Sequence, residues 1–177
     1  MRLGWVPVLL FATAASGQVL WVGGKVGTSW EQNSPTAPDR TFLHYNDTVR
    51  SIFVGVPLSD DTMLRFQTTQ LPHDTVIAGT TYSTHVRGYS AGIDYSFAGS
   101  LGEAHLSLSF GGYRREFEGA TPAAAGDTTR FGWSAGVGEW LSISRRGRIV
   151  LELEYHRADF PDKPKLISAT AGLAFSF

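Results

Sequence analysis

The sequence contains no cysteine, so neither a disulfide framework nor a thiolate metal site can form. Net charge is also nearly absent: 15 basic and 16 acidic residues leave a formal charge of −1, which argues against a nucleic-acid partner. After the first residues, no apolar run approaches the ~20 residues that a transmembrane helix needs. No internal repeat or low-complexity tract divides the chain. These absences indicate one domain without helical membrane spans.

The N-terminus holds the one long apolar run. Arg2 is the only early charge, residues 5–15 are apolar, and small residues occupy positions 14–17. This order predicts a cleaved secretory signal peptide over residues 1–17, with a cut two residues earlier as the nearest alternative. A membrane anchor or a buried first strand is the competing interpretation. We expect an exported protein whose mature domain covers residues 18–177.

What the sequence has instead is alternation, clearest at its C-terminus. Odd positions from Ile167 to Phe177 are apolar and end in aromatic residues, whereas even positions from Ser168 to Ser176 are small or weakly polar. Because successive side chains of a strand point to opposite faces, one face is apolar and the other carries no charge. This polarity suits a strand with lipid outside and a crowded lumen inside.

Similar segments follow one another along the whole mature chain. There are eight, at roughly residues 19–30, 48–58, 62–70, 86–97, 104–116, 129–143, 148–158 and 165–177. Each is close to the ~9–11 residues that a tilted strand needs to cross a bilayer. Short joints alternate with longer ones, and the longer ones are residues 31–47, 71–84, 118–127 and 159–164. The sequence therefore predicts an all-β fold, an eight-stranded antiparallel up-and-down transmembrane β-barrel with both termini in the periplasm.

Charged residues fall on the strand face that would point into the lumen. They are Lys25, Arg65, Asp94, Glu152, Glu154 and His156. Because the interior of an eight-stranded barrel is just wide enough for side chains to fill, we expect a paired lumenal charge network rather than an ion path. A soluble, lipocalin-like lipid-binding barrel is the alternative. It would have to fill its interior with bulky Leu, Phe and Tyr side chains.

Aromatic residues on the opposite face gather near the strand ends. We expect a girdle with Tyr89, Phe131, Trp133 and Tyr155 at the outer interface and Phe97 at the inner one.

Three positions fit the alternation less well. Phe53 falls on the lumenal face, and so does Trp21 unless a bulge at Gly23–Gly24 turns it outward. Glu139 falls on the outer face unless a bulge intervenes.

With these features the chain resembles the small outer-membrane β-barrels of the OmpA, OmpX and Ail type, generic outer membrane β-barrel domain proteins of Gram-negative bacteria. The resemblance rests on the eight-segment layout and on residues 155–177, with their aromatic-terminated last strand. It implies an outer-membrane location, with membrane lipids, periplasmic chaperones and the barrel-assembly machinery as partners. Leu173, Phe175 and Phe177 are then the candidate assembly signal.

Catalysis finds little support in the sequence. Lipid A deacylases that resemble PagL use a His and a Ser two residues apart on one strand. Here the residue two after His156 is Ala158, which cannot attack an ester, and Ser168 lies on the next strand, pointing inward. We therefore expect no catalytic residue. A lipid A- or phospholipid-modifying barrel enzyme is the alternative function.

The first long joint holds one further polar constellation. His44 and Asp47 follow Asp39 and Arg40, but no additional ligand at metal spacing accompanies them, so we expect no metal and no cofactor. Loops on a rigid scaffold more often carry binding. The sequence thus predicts a monomeric barrel without an open pore, with a structural or adhesin-like role through an extracellular loop ligand.

Overall fold

A computed structural model describes residues 19–32, 44–125 and 128–177. The predicted signal peptide, residues 1–17, lies outside the described residues, as do Asp39 and Arg40. The described chain forms eight strands and one 3₁₀ turn. They are β1 Trp21–Gln32, β2 His44–Pro57, β3 Thr62–Ile77, β4 Thr80–Ala98, β5 Glu103–Phe117, the 3₁₀ turn Ala123–Ala125, β6 Thr129–Ser142, β7 Gly147–Ala158 and β8 Lys165–Ser176.

Every strand pairs antiparallel with its neighbours, and β8 closes the sheet against β1. The predicted fold, an eight-stranded up-and-down barrel, is therefore confirmed. Within the described residues, no helix is both long and apolar enough to cross a membrane. At the β1–β8 seam the backbones approach so closely that a Cβ at Gly27 would overlap the carbonyl oxygen of Ala169, and one at Gly172 that of Gly24.

Two predicted joints are shorter than expected: β2 begins at His44 rather than at residue 48, and the larger difference lies between β3 and β4. Residues 71–84, expected to form a loop, are mostly strand, since β3 and β4 continue until Ile77 pairs with Thr80. Ala78 and Gly79 connect the strands, both with positive φ (50° and 81°), as tight hairpin turns require. The period of two continues through this extension, because Leu71, His73 and Thr75 are all buried.

The wall has an apolar outside and a polar inside. Outward side chains along the strands are large, apolar and exposed, among them Val26, Ile52, Ile93, Leu106, Leu108, Phe110, Val137, Leu153 and Leu173. This polarity is the reverse of that in a lipocalin-like barrel, as the alternation predicted.

The lumen is filled in layers. At the end of the barrel where β1 begins and β8 ends, which we call the termini end, Phe53, Trp140, Val150 and Ala174 form one apolar cluster with Trp21 and Met63 packed against it. At the opposite end, the loop end, Val49, Leu71, Val86, Tyr113, Ala158, Phe160 and Leu166 form a second. Charged and polar side chains occupy the space between them.

The structure also shows which way Trp21 and Glu139 point. The β1–β2 register is continuous from Trp21 to Thr28, so no bulge occurs at Gly23–Gly24, and the irregularity lies between Thr28 and Trp30. Trp21 therefore stays inside, with its ring centroid 5.9 Å from that of Trp140. No bulge displaces Glu139 either; it stays on the outer face, where the Ser100 hydroxyl donates to its Oε1 at 3.1 Å.

Candidate functional site

The predicted lumenal charges meet in one network at mid-barrel. Lys25 contacts Glu152 and lies 3.1 Å from Glu154 Oε2. Arg65 Nη1 lies 2.8 Å from Glu152 Oε1, and its Nη2 lies 3.6 Å from Glu154 Oε1. Its Nε lies 3.3 Å from Asp94 Oδ1. All five side chains belong to residues no more than 4% exposed. We call these five residues the mid-barrel network.

Neutral side chains complete the hydrogen bonding of this network. Lys25 Nζ donates to Gln67 Oε1 at 3.1 Å, and Gln67 Nε2 donates to Thr69 Oγ1 at 2.8 Å. Ser107 donates to Glu152 at 3.3 Å, and His105 Nε2 lies 3.4 Å from the same carboxylate oxygen. These four residues were not predicted as members of the network, although the inward parity of their strands places them in the lumen.

His156 has a different partner from the one expected. We expected it to belong to the paired charge network, but its Nε2 lies 3.1 Å from the hydroxyl of Ser168. Ser168 does point inward, and both residues are buried, at 2% and 0% exposure. A His–Ser pair could activate a nucleophile in principle. In this structure the pair is enclosed within the barrel.

A second ionic cluster lies inside the barrel at the loop end. It was not predicted from the sequence. We call Glu31, His73, Arg115 and Asp162 the mouth cluster. His73 lies between two carboxylates, with Nδ1 3.0 Å from Glu31 and Nε2 3.3 Å from Asp162. Arg115 Nη2 lies 2.6 Å from both oxygens of Asp162.

The 159–164 loop reaches this cluster by folding into the barrel mouth. Phe160 is 2% exposed and lies under Arg115, whose guanidinium carbon is 4.4 Å from the ring centroid. Burial opposes ionisation of Asp162, yet hydrogen bonds and charges from His73 and Arg115 hold the pKa of its carboxyl well below its usual range. Asp162 therefore remains ionised and anchors the loop to the strands.

The predicted girdle residues lie on the outer face. Tyr89 and Phe131 are 53% and 63% exposed near the loop end, and Trp133 packs on Tyr155 with ring centroids 5.4 Å apart. Phe97 is 45% exposed near the termini end.

The candidate assembly residues also face outward at the termini end. Leu173 and Phe175 are each 47% exposed, and Phe177 is 77% exposed. The backbones of Leu20 and Phe177 exchange two hydrogen bonds beyond the last ladder pairs. Their role in assembly stays a prediction.

The constellation in the first long joint is only partly visible. His44 and Asp47 lie in β2, but their side chains are outside the described set. Among the described residues, no group of three or more His, Asp or Glu side chains could hold a metal ion.

No protein-family model matches this sequence, and no curated protein sequence matches it. Solved structures do. Neisserial surface protein A (NspA) superposes with a TM-score of 0.68 at 12% identity, covering 89% of this chain and 97% of that one. Ail of Yersinia pestis, in complex with the heparin analogue sucrose octasulfate, gives 0.57 at 10% identity over 90% and 99% of the two chains. OprG from Pseudomonas aeruginosa gives 0.57 at 11% identity over 90% and 95%.

The chain has the fold of the small eight-stranded outer-membrane barrels. The likeness extends over nearly the full length of both members of each pair, so the resemblance predicted from the sequence is confirmed at the level of fold. Because the identities are only 10–12%, the likeness assigns no role to any residue of this chain. The mid-barrel network and the mouth cluster are described from this chain alone.

Proposed function

We propose that the protein is an integral outer-membrane barrel with a closed lumen, and that it acts through its surface in a structural or adhesive role. The observation that carries this proposal is the filling of the barrel. The mid-barrel network is buried between two apolar clusters, while the outside of the wall exposes an apolar band.

An apolar outer wall supports residence in lipid, because the closed sheet satisfies every backbone group within the bilayer. The filled lumen supports the absence of a pore, because an eight-stranded barrel leaves no space beyond its side chains. We therefore do not propose a transport role. The proposed contacts with other molecules lie at the loop end of the barrel.

The adhesive part of the proposal rests on the structural neighbours. One of them is described as an attachment invasion locus protein and was solved with a heparin analogue bound. Another is described as a surface protein. By analogy, we propose that this barrel, as a monomer, presents loop-end residues to an extracellular ligand. The fold alone supports this analogy.

Fractionation of Gram-negative cells that express the full chain tests the location. We expect the protein in the outer-membrane fraction, extractable with detergent; recovery in the soluble periplasm would overturn the proposal. Planar bilayer recording of the purified barrel tests the closed lumen. We expect no stable single-channel steps, and large, stable steps would refute a sealed interior.

A lipid-modifying enzyme is the candidate from another class, because His156 and Ser168 form a possible base–nucleophile pair. We propose that it is inactive, since both side chains are sealed inside the wall. Incubation with lipopolysaccharide or phospholipid should release no fatty acid. Release that Ser168→Ala abolishes would establish the enzyme instead.

The outward aromatic side chain of Phe177 supports a role in assembly. We expect deletion of Phe177 to lower the amount of barrel in the outer membrane while leaving the folded barrel nearly as stable, because the side chain is 77% exposed. Immunoblots of membrane fractions measure the first effect, and urea unfolding in detergent measures the second. Normal outer-membrane levels of the deletion variant would contradict a role of Phe177 in assembly.

A further inference from the structure

The outer face of the wall carries its cations at one end. Near the loop end, Arg50, Arg87, Arg114, Arg157 and Lys165 all lie on the outward side of their strands, by the parity of their exposed apolar neighbours. At the termini end, the outward charge on the described strands is an acid, Glu139. The asymmetry distinguishes the two membrane interfaces, because each end meets a different leaflet.

Three of these cations share one level of the sheet. Arg50 pairs with Gln70, Gln70 pairs with Arg87, and Arg87 pairs with Arg114 across β2 to β5. Arg87 and Arg114 are therefore direct cross-strand neighbours on one face. Like charges in this position destabilise a sheet unless an anion offsets them. Arg157 and Lys165 repeat the arrangement on β7 and β8.

The level directly below this row is apolar or small. Ile52 pairs with Thr68, and Thr68 pairs with Tyr89. The two levels together line an outward groove of about 360 Å³, bounded by Arg50, Ile52, Thr68, Gln70, Arg87 and Tyr89. Its upper part presents two guanidinium groups and an amide, and its lower part presents an aliphatic and an aromatic side chain towards the membrane interior.

We propose that this groove binds a phosphorylated lipid of the outer leaflet, with the phosphate between Arg50 and Arg87 and an acyl chain along Ile52 and Tyr89. The inference deepens the proposed function, since it rests on residence in the outer membrane. Adjacent strands lie ~4.8 Å apart, so the two arginines flank Gln70 at a backbone separation of roughly 10 Å, within reach of one phosphate. Arginine matches phosphate geometry through paired donors.

One carboxylate competes for the site. Glu116 Oε2 lies 3.2 Å from Arg87 Nη2, in a pair whose side chains are 31% and 37% exposed. Exposed pairs of this kind are weak, so a phosphate of higher charge can displace Glu116 from Arg87. The balance still favours anions, because the three arginines share one level and Glu116 lies beyond it, where it pairs with His85 across the sheet.

The test titrates the detergent-folded full chain with bisphosphorylated lipid A and counts bound lipid by native mass spectrometry. Lipid A stripped of its phosphates is the chemical control. Arg50→Gln combined with Arg87→Gln should weaken binding of the phosphorylated lipid about tenfold. The matched control, Arg145→Gln combined with Arg146→Gln in the turn at the termini end, should leave it unchanged. Glu116→Gln should strengthen binding about two- to fivefold, because it frees Arg87.

Equal binding of the phosphorylated and stripped lipids, or normal binding by the double variant, would overturn the inference. So would displacement of the lipid by inorganic phosphate, which would indicate a site for the free ion. If the double variant does not fold, an unchanged affinity of Glu116→Gln also overturns it. Outer-membrane recovery of the wild-type chain is measured separately. Failed lipid binding by a correctly located barrel therefore refutes only the groove, whereas a mislocated barrel refutes the proposed function.

Discussion

The barrel contains two buried ionic clusters that differ in what they connect. All members of the mid-barrel network project from strands, so every ion pair joins one part of the wall to another. In the mouth cluster, Glu31, His73 and Arg115 project from strands, but Asp162 belongs to the 159–164 loop. Its side chain is 28% exposed, whereas the mid-barrel charges are sealed.

The difference shows how similar ion pairs can serve separate purposes. At mid-barrel, removal of one charge leaves its partners buried and unpaired in a closed space, so the whole wall is affected. At the mouth, water can replace a lost partner, and the strands remain fixed by their own ladder. The mid-barrel network therefore stabilises the fold, while the mouth cluster determines the position of a loop.

The largest predicted effect comes from the shared acceptor of the mid-barrel network. Glu152→Gln removes the carboxylate that pairs with both Lys25 and Arg65. Breaking a buried pair in this way costs about 3–5 kcal/mol, because the remaining charges lose their compensation. Urea unfolding of the refolded barrel in detergent measures the loss.

The same substitution at a partly exposed ion pair provides a reference for the loss of stability. Glu103→Gln breaks the pair with Arg148, whose two side chains are 37% and 27% exposed. We expect a change of less than about 1 kcal/mol. If the two variants lost the same amount of stability, the mid-barrel network would not be the main electrostatic support of the fold.

At the mouth, Asp162→Asn should destabilise the barrel by only about 1 kcal/mol, since charge-assisted hydrogen bonds at a partly exposed site are screened by water. Its main effect should be local: the 159–164 loop leaves the mouth and becomes sensitive to protease. Limited proteolysis followed by mass spectrometry detects the cut. Asp159→Asn in the same loop is the control and should stay resistant. Equal cleavage of both variants would remove Asp162 from its anchoring role.

The smallest predicted effect is a pH response confined to the mouth. Because the folded-state pKa of Asp162 lies below its ordinary value of 3.8, its stabilisation is complete above that pH and disappears as pH falls through the lowered pKa. His73 and Arg115 lie within hydrogen-bond distance of this carboxylate, and the Thr75 hydroxyl donates to its Oδ2 at 2.9 Å.

The chain has no cysteine, so a spin label on Pro161→Cys reports this loop alone. Its mobility should rise as the solution is acidified below about pH 4, and it should be high at every pH when Asp162→Asn is also present. A label that stays immobile throughout acidification would contradict the predicted link between Asp162 ionisation and loop position.

Strand parity explains why the mid-barrel network could be predicted from sequence. A period of two assigns a face to every residue of a regular strand, so Lys25, Arg65 and Glu152 could be placed together. The inward position of Arg115 could have been predicted in the same way, since it lies in the predicted segment 104–116. A closed wall of short strands brings such inward charges close to one another and to the neutral polar side chains of the same face.

The mouth cluster could not be found in the same way. Glu31 and His73 fell in segments predicted as joints, residues 31–47 and 71–84, where no face was assigned to a side chain. Phe160 and Asp162 lie in a true loop, and a loop has no period that could show which side chains turn inward. Their positions follow from tertiary packing against Arg115 and His73.

The extended β3–β4 hairpin has one more consequence. Arg50–Gln70 is the last described pair of the β2–β3 ladder, whereas β3 and β4 stay paired until Ile77 meets Thr80. This extension carries His73 and Thr75, and both contact Asp162 of the 159–164 loop. A one-residue slip of a strand turns its inward side chains to the other face, and in a hairpin the register depends on the turn. The two-residue turn Ala78–Gly79 therefore also determines whether the 159–164 loop finds its partners inside the barrel mouth.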